Sequence, residues 1–464
     1  MRRFLPLLLL AMLAPLAAQS APASSPPARP NIILILADDL GYADLGCYGN
    51  TFNETPRLDQ LARQGLRFSQ FYAGPVCSPT RANLQSGQDQ ARFGITQHIP
   101  GHRRPFAKLS DPVVPSHLPL EVVTFAECLR DAGYATGYFG KWHLGGAGFG
   151  PRDQGWTTAR EFAGNTGEGS DRRTAALIAE KGVEFIIAQR DRPFLLQLSH
   201  TSVHIPLSTT PGLLAKYQAR KPMPGYPSRP EYAGLLEELD QAVGRVVDAV
   251  DRLGLAEKTL IFFLSDNGGL EHEQSGRIVT SNAPLRGEKG SLYEGGIRVP
   301  ALARWPGTIP AASTCTTPAH SYDLHPTFLQ LARAAAPTGQ PRDGHSLASL
   351  LRDPRASLSR DTLYWHLPHY HHSTPASAIR RGDWKLIEFF ENNSLELYDL
   401  ASDLGEKTNL AAREPARVRE LQSALAAWRK HVGARMPIPN PNHDPARATE
   451  LGNAGEAREK RKKK

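Results

Sequence analysis

"NIILILADDLGY", residues 31–42, decides how this chain folds. After Asn31 it runs through six apolar residues, three of them Ile, and then stops at two carboxylates and a glycine. An apolar run that short, with no polar alternation, reads as a strand buried on both faces, as in a parallel sheet. Three further runs have the same character: Ala135–Phe139, Phe194–Leu198 and Leu260–Leu264. Helical patterns at Arg57–Gln64, Phe125–Asp131, Arg173–Gln189 and Tyr232–Leu253 alternate with them. This alternation predicts an α/β fold built on a large, mostly parallel sheet sandwiched by helices. From about Asp361 the texture changes. Short runs at Thr362–Trp365, Ala376–Arg380, Trp384–Phe390 and Leu395–Leu400 follow at hairpin spacing, and one helical stretch, Pro415–Val432, comes after them. They predict a smaller C-terminal antiparallel sheet with a packed helix, joined through the Pro/Gly stretch Ala336–Gly344.

The chain has 464 residues, 40% of them hydrophobic, enough for one large core and a smaller one. Arg2 and Arg3, the apolar run Phe4–Leu16, and small residues near Ala18, Ser20 and Ala21 read as an export signal over residues 1–20. The run is too short to span a bilayer, so no membrane anchor is expected, and the location expected is periplasmic or secreted. The formal charge of +8 is misplaced as a sign of nucleic acid binding. Arg2 and Arg3 carry two of those charges, and six Lys/Arg against Glu456 and Glu459 carry a net four, which leaves +2 for the body. The resulting division is a signal at 1–20, a catalytic domain at 28–350, a C-terminal α+β subdomain at 361–436 and a basic, disordered tail at 437–464. Only Cys47, Cys77, Cys128 and Cys315 are present, too few for a disulfide framework and at no zinc spacing. Cys47, Cys128 and Cys315 read as buried small hydrophobes or as one bridge.

In open α/β sheets ligands gather at the carboxyl ends of the strands. The four runs end in Asp38-Asp39, in Lys141 and His143, in His204, and in Asp266-Asn267. Three carboxylates and an amide oxygen are hard ligands, suited to Ca²⁺ ahead of Mg²⁺ and unlike a zinc set. Around them stand cationic or ionisable groups: Arg81, Lys141, His143, His204 and, after a Gly-rich turn, Lys289. A metal ringed by such groups suits an anion with several oxygens, a sulfuryl or a phosphoryl group.

These residues carry a resemblance. Cys77-x-Pro79-x-Arg81, within "PVCSPTRANLQSG" (75–87), resembles the maturation motif of the type I, formylglycine-dependent sulfatases. "GYATGYFGKWH" (133–143) resembles that family's second signature, and Asp38-Asp39, His204, Asp266-Asn267 and "GEKG" around Lys289 match its other site segments in order. The resemblance implies an alkaline phosphatase-like fold and hydrolysis of sulfuric esters. It implies that a formylglycine-generating maturation enzyme converts Cys77 to Cα-formylglycine. The hydrated aldehyde offers two geminal hydroxyls: one attacks sulfur and expels the alcohol, and the other then expels sulfate. By the same resemblance Asp38, Asp39, Asp266, Asn267 and the modified Cys77 hold the metal. Arg81 and His143 orient the hydroxyls, Lys141 and Lys289 clamp the sulfate, and His204 protonates the leaving oxygen.

Substrate choice belongs to loops outside this ring. "QHIPGHRRPF" (97–106) and "WHLPHYHHSTPASAIR" (365–380) are rich in His, Arg and aromatics, which suit sugar faces and further anionic groups. His98, Arg103, Arg104, His366, His369 and His371 are the expected substrate rim. The substrate expected is a sulfated saccharide or an aryl sulfate. Two alternatives stand beside this reading: a phosphodiesterase or phosphonate monoester hydrolase on the same fold, and an inactive sulfated-glycan-binding protein.

Overall fold

A computed structural model describes residues 29–166, 172–274 and 276–452. The expected export signal and the last part of the basic tail lie outside these residues. At the centre of the main sheet is the strand Asn31–Ala37. It pairs in parallel with Thr259–Ser265 on one side and Phe194–Ser199 on the other. The path across the sheet is Ser313–Cys315, Leu66–Tyr72, Arg298–Arg304, Thr259–Ser265, Asn31–Ala37, Phe194–Ser199, Ala135–Gly140 and Thr158–Glu161, with Ala319–His320 beside Leu66–Tyr72. All pairs are parallel except those made by Arg298–Arg304.

The unbroken apolar run follows from burial on both faces. Ile32, Leu34 and Leu36 join a core with Phe125, Leu129 and Phe328. Ile33 and Ile35 point the other way, into a core with Leu235, Leu239, Val243 and Val246 of the helix Pro230–Arg252. The period of two along one strand thus feeds two helical layers.

Three strands lack the apolar signature. Leu66–Tyr72 and Thr158–Glu161 carry polar residues, and Arg298–Arg304 contains Pro300. Proline cannot donate to a ladder, and the register shifts between Val299 and Ala301 to accommodate it. Cys77, between Pro75 and Pro79, opens a helix, Cys77–Ser86. Pro79 is the third residue of that helix, where a backbone N–H has no intrahelical partner to lose.

The C-terminal sheet is an antiparallel meander of Thr362–Leu367, Ala376–Arg381, Trp384–Phe389 and Leu395–Asp399. The helix Pro415–Val432 covers one face through Val418, Leu421 and Leu425 against Ile379, Leu386 and Leu397. The other face, with Trp365, Leu367, Ala378 and Ile387, packs on Tyr72, Leu292 and Ile297 from the large sheet's side of the chain. Lys385 is fully buried in this interface, 2.9 Å from both Glu294 and Glu406. Removing one member of such a group strands the others' charge in the interior. Lys385→Met is therefore expected to destabilise the chain by about 3–5 kcal/mol, read as a lowered denaturant midpoint; an unchanged midpoint would show the pairing to be idle.

The connector Ala336–Gly344 is anchored, since Asp343 pairs with Arg92 at 2.7 Å and Gln340 donates to the carbonyls of Ser86 and Val123. One expectation needs correction. The stretch read as a disordered tail begins with residues that fold back. Ile438–Pro439 pairs with Leu109–Ser110, and Asn440 donates to the carbonyls of Pro105 and Ala107. All four cysteines are free, so no bridge forms among the described residues. None of the described helices is long and apolar enough to cross a membrane.

Candidate active site

Asp38-Asp39 and Asp266-Asn267 emerge side by side because Ala37 is in register with Ser265 on parallel strands. The Asp266 amide donates to the Ala37 carbonyl at 3.1 Å and holds the two turns together. Lys141 and His143 follow the strand Ala135–Gly140. Asp39 and His143 both have positive φ, 63° and 60°, a conformation non-glycine residues hold only when their surroundings enforce it. Lys289 arrives from a separate loop, tied down where its amide donates to Gly269 and the Gly290 amide donates to Pro75, just ahead of Cys77.

The side chains form one buried network. Lys141 Nζ is 2.6 Å from Asp38 Oδ2, and Lys289 Nζ is 2.8 Å from the Asp39 carboxylate. Arg81 donates to Asp266 Oδ2 from both Nε, at 3.2 Å, and Nη2, at 2.8 Å. Asn267 Nδ2 donates to Asp39 Oδ1 at 2.8 Å, and His204 Nε2 stands 3.6 Å from Asp39 Oδ2. Burial opposes ionisation of Asp38, but Lys141, His204, Arg81 and Lys289 outweigh it and hold this carboxyl well below the usual range. Asp39 is also lowered: against its burial act Lys289 and His204. Asp266 goes the other way. Burial and the neighbouring Asp38 push it up to about 7 despite Arg81.

The set fits a hard cation. Asp38 Oδ1 and Asn267 Oδ1 are buried and accept no hydrogen bond among the described residues. A buried oxygen without a donor costs free energy unless something positive meets it. Asp38, Asp39, Asp266 and Asn267 offer oxygen ligands, with His204 Nε2 as a nitrogen close to Asp38 and Asp39, and Asp266 carries a pKa that a bound cation would lower.

Cys77 is 2% exposed, at the first position of its helix. Its Sγ lies 3.2 Å from His143 Nδ1, and His143 Nε2 is 2.6 Å from the Ile99 carbonyl. A carbonyl can only accept, so Nε2 carries the proton and Nδ1 turns a lone pair toward residue 77. Burial, Lys141 and Arg81 push His143 down to about 4, which keeps it neutral. The free N–H groups of the helix's first turn favour negative charge at the same place. His204 Nδ1 meets the Ile205 carbonyl at 2.6 Å, which leaves Nε2 to exchange a proton with a ligand. On this side the site opens into a cavity of about 380 Å³ lined by Asp38, Lys141, His143, His204, Glu161 and Phe162, among others. Glu161 and Phe162 carry no sequence signal, because the strand that leads to them, Thr158–Glu161, is short, polar and without the apolar run of the inner strands.

The expected rim divides. His98 lies beside the site, its ring 6.4 Å from that of His143, and His371 lies 5.7 Å from His98. Arg104 donates to the His371 carbonyl at 3.0 Å and sits over the Tyr370 ring. Arg103 is exposed on the same loop. His366 and His369 are not rim residues. His366 is fully buried between the Ser377 hydroxyl, at 2.7 Å, and the Arg435 carbonyl, at 3.0 Å. His369 is buried against the Thr96 hydroxyl at 2.8 Å. Both spend their ring nitrogens holding loops together, which leaves nothing for a substrate.

Comparisons with known proteins follow the same lines. A model of the Sulfatase family matches residues 30–334, and one for the N-sulphoglucosamine sulphohydrolase C-terminal region matches 287–431. A sulfatase of Formosa agariphila is 32% identical over 92% of this chain and 94% of its own length. Human arylsulfatase A is 36% identical, covering 85% of this chain and 86% of that protein. Among solved structures, Ps i-CgsB in complex with k-i-k-neocarrahexaose superposes with a TM-score of 0.74 at 26% identity, covering 94% of this chain and 97% of that one. The phosphonate monoester hydrolase of Agrobacterium radiobacter shares the fold, with a TM-score of 0.67 at 20% identity over 87% of this chain and 96% of that one. The chain belongs to the sulfatase family of the alkaline phosphatase superfamily, hydrolases of sulfuric esters.

Proposed function

We propose that this sulfatase acts on O-sulfated saccharides, that Cys77 is converted to Cα-formylglycine, and that one Ca²⁺ is held by Asp38, Asp39, Asp266, Asn267 and the modified residue 77. The observation that carries this reading is the place of Cys77: the first turn of a helix, facing the His143 Nδ1 lone pair, ringed by Arg81, Lys141 and Lys289. The hydrated aldehyde supplies two hydroxyls, one to attack sulfur and one whose deprotonation releases sulfate, and the cation supplies positive charge that polarises a sulfate oxygen. The chain's own side chains do the rest. Lys141 and Lys289 are ionised and bind sulfate oxygens; burial alone would lower both, but Asp38 and Asp39 respectively raise them. Arg81, fixed by Asp266, orients residue 77. His143 accepts its second hydroxyl proton at Nδ1. His204, partly exposed toward the cavity, gives a proton from Nε2 to the leaving oxygen, a contribution of about 10²–10⁴ in rate for such a positioned acid.

Cys77 and Arg81 are buried and Arg81 is ion-paired, so the segment a maturation enzyme reads is the unfolded one. Residues 28–350 act as the catalytic unit and 361–436 as a subdomain that contributes His371 to the substrate rim. Residues 1–20 direct export to the periplasm or beyond, where glycan fragments are met. The saccharide reading is supported by the neocarrahexaose complex of a similar structure and by the approach of His98, Arg103, Arg104 and His371 from two loops.

Sulfate release from a panel of defined sulfated saccharides, beside a small aryl sulfate, tests the substrate. Arg104→Ala is expected to lower kcat/KM on the preferred saccharide by roughly 10- to 100-fold, the loss of one charged hydrogen bond. The aryl sulfate, which engages only the sulfate ring, is expected to change little. Equal losses on both, or faster turnover of the aryl sulfate than of every saccharide, contradicts the reading.

A further inference from the structure

His98, His102 and His371 bring three imidazoles together next to His143, with one nitrogen from each within 4.8 Å of the others. The ring centroids are 4.4 Å apart for His98–His102, 5.2 Å for His102–His371 and 5.7 Å for His98–His371. Three imidazoles on one tetrahedral zinc, each with a Zn–N bond of about 2.0–2.1 Å, place their ring centres roughly 5 Å apart. The observed triangle already has that size.

His98 Nδ1 is buried and meets no hydrogen-bond partner among the described residues, which is costly unless something positive meets it. His371 Nδ1 is unpartnered too but packs against Gly290, which leaves Nε2 of that ring for a metal. All three rings are held neutral, the form that binds a metal. Burial comes first in each case, and neighbouring positive groups, Lys289 among them, add to it. The position of His371 is built in. Gly290 has φ +76, and a Cβ there would fall 1.9 Å from His371 Nδ1, so only a glycine lets this ring settle against the Lys289 loop. His102 is exposed, and its amide donates to Gln97 Oε1, which fixes the turn while leaving the ring free to close on a metal.

We propose that His98, His102 and His371 form a second metal site, separate from the carboxylate site, that binds one borderline divalent cation of the zinc type. Neutral nitrogen ligands alone do not suit Ca²⁺, so the two sites sort cations by chemistry. Lys289 and Arg104 stand near the triad and repel a dication, a cost the three Zn–N bonds must exceed. A cation here stands close to His143, whose ring is 6.4 Å from that of His98, so zinc is expected to inhibit sulfate release. The inference does not depend on the saccharide reading.

The test is equilibrium dialysis of the untagged, Ca²⁺-saturated chain against Zn²⁺, with metal content measured directly, and visible spectroscopy with Co²⁺ in its place. The expected result is one zinc per chain beyond the calcium, and a tetrahedral or five-coordinate Co²⁺ spectrum. His102→Ala, at an exposed position that folding tolerates, is expected to lose that zinc, its Co²⁺ band and the zinc sensitivity of turnover, while calcium content stays the same. Cys77→Ala is expected to keep the zinc, which separates the triad from a Cys77–His143 chelate. No bound zinc in the wild-type chain, or zinc retained by His102→Ala, overturns the proposal and leaves the three rings as contacts for a ligand's hydroxyls.

Discussion

Asp266→Ala is expected to leave a chain that folds but holds no Ca²⁺ and turns over roughly 10³-fold more slowly or worse. The size follows from two terms. A bound cation contributes several kcal/mol of charge stabilisation, and each 1.4 kcal/mol or so is tenfold in rate. The site also depends on Asp266 as an ion-pair partner. Arg81 donates to it twice and otherwise holds only the Lys141 carbonyl, at 2.5 Å, and Asp38, at 3.3 Å, so loss of this carboxylate loosens the guanidinium proposed to orient residue 77. Elemental analysis of protein purified without added metal, together with sulfate release, checks both. Stoichiometric calcium in the variant would place the cation elsewhere, and stoichiometric zinc in the carboxylate site of the wild-type chain would favour a phosphatase-like centre.

Cys77→Ala is expected to abolish turnover, and Cys77→Ser to give at most one equivalent of released alcohol per chain. The two outcomes separate attack from release. A serine hydroxyl in the same place, with His143 Nδ1 beside it, can attack sulfur once. It has no second hydroxyl whose proton His143 could take to expel sulfate, so the variant stops there. Both variants replace a small buried side chain in a core-facing first turn, and retained thermal stability distinguishes a chemical loss from an unfolded one. Sustained turnover by Cys77→Ser would remove the need for an aldehyde.

The parts of this molecule that were legible in its sequence are those where one force acts alone. Ile32–Ala37 is apolar because both of its faces are covered, and its two aspartates are at the edge because the strand ends there. Where two requirements compete, the pattern is lost. Pro300 sits in a strand that must bulge around it, and Pro79 sits in the one turn of a helix that tolerates it. Histidine is the least readable residue here. His98 and His371 lie beside the site, whereas His366 and His369, from the same rich segment, are buried structural groups. Composition alone cannot separate a ring that meets a ligand from one that holds a serine and a carbonyl. Lys385 gave no signal either, because its partners Glu294 and Glu406 are close only once the small sheet docks.

Mass spectrometry of the tryptic peptide Phe68–Arg81 tests most directly whether Cys77 is the precursor of formylglycine. In active protein made alongside the maturation machinery, the peptide is expected to have lost its sulfur and gained an aldehyde, detectable by reaction with a hydrazide. Fully active protein whose peptide carries an intact Cys77 thiol would contradict the mechanism.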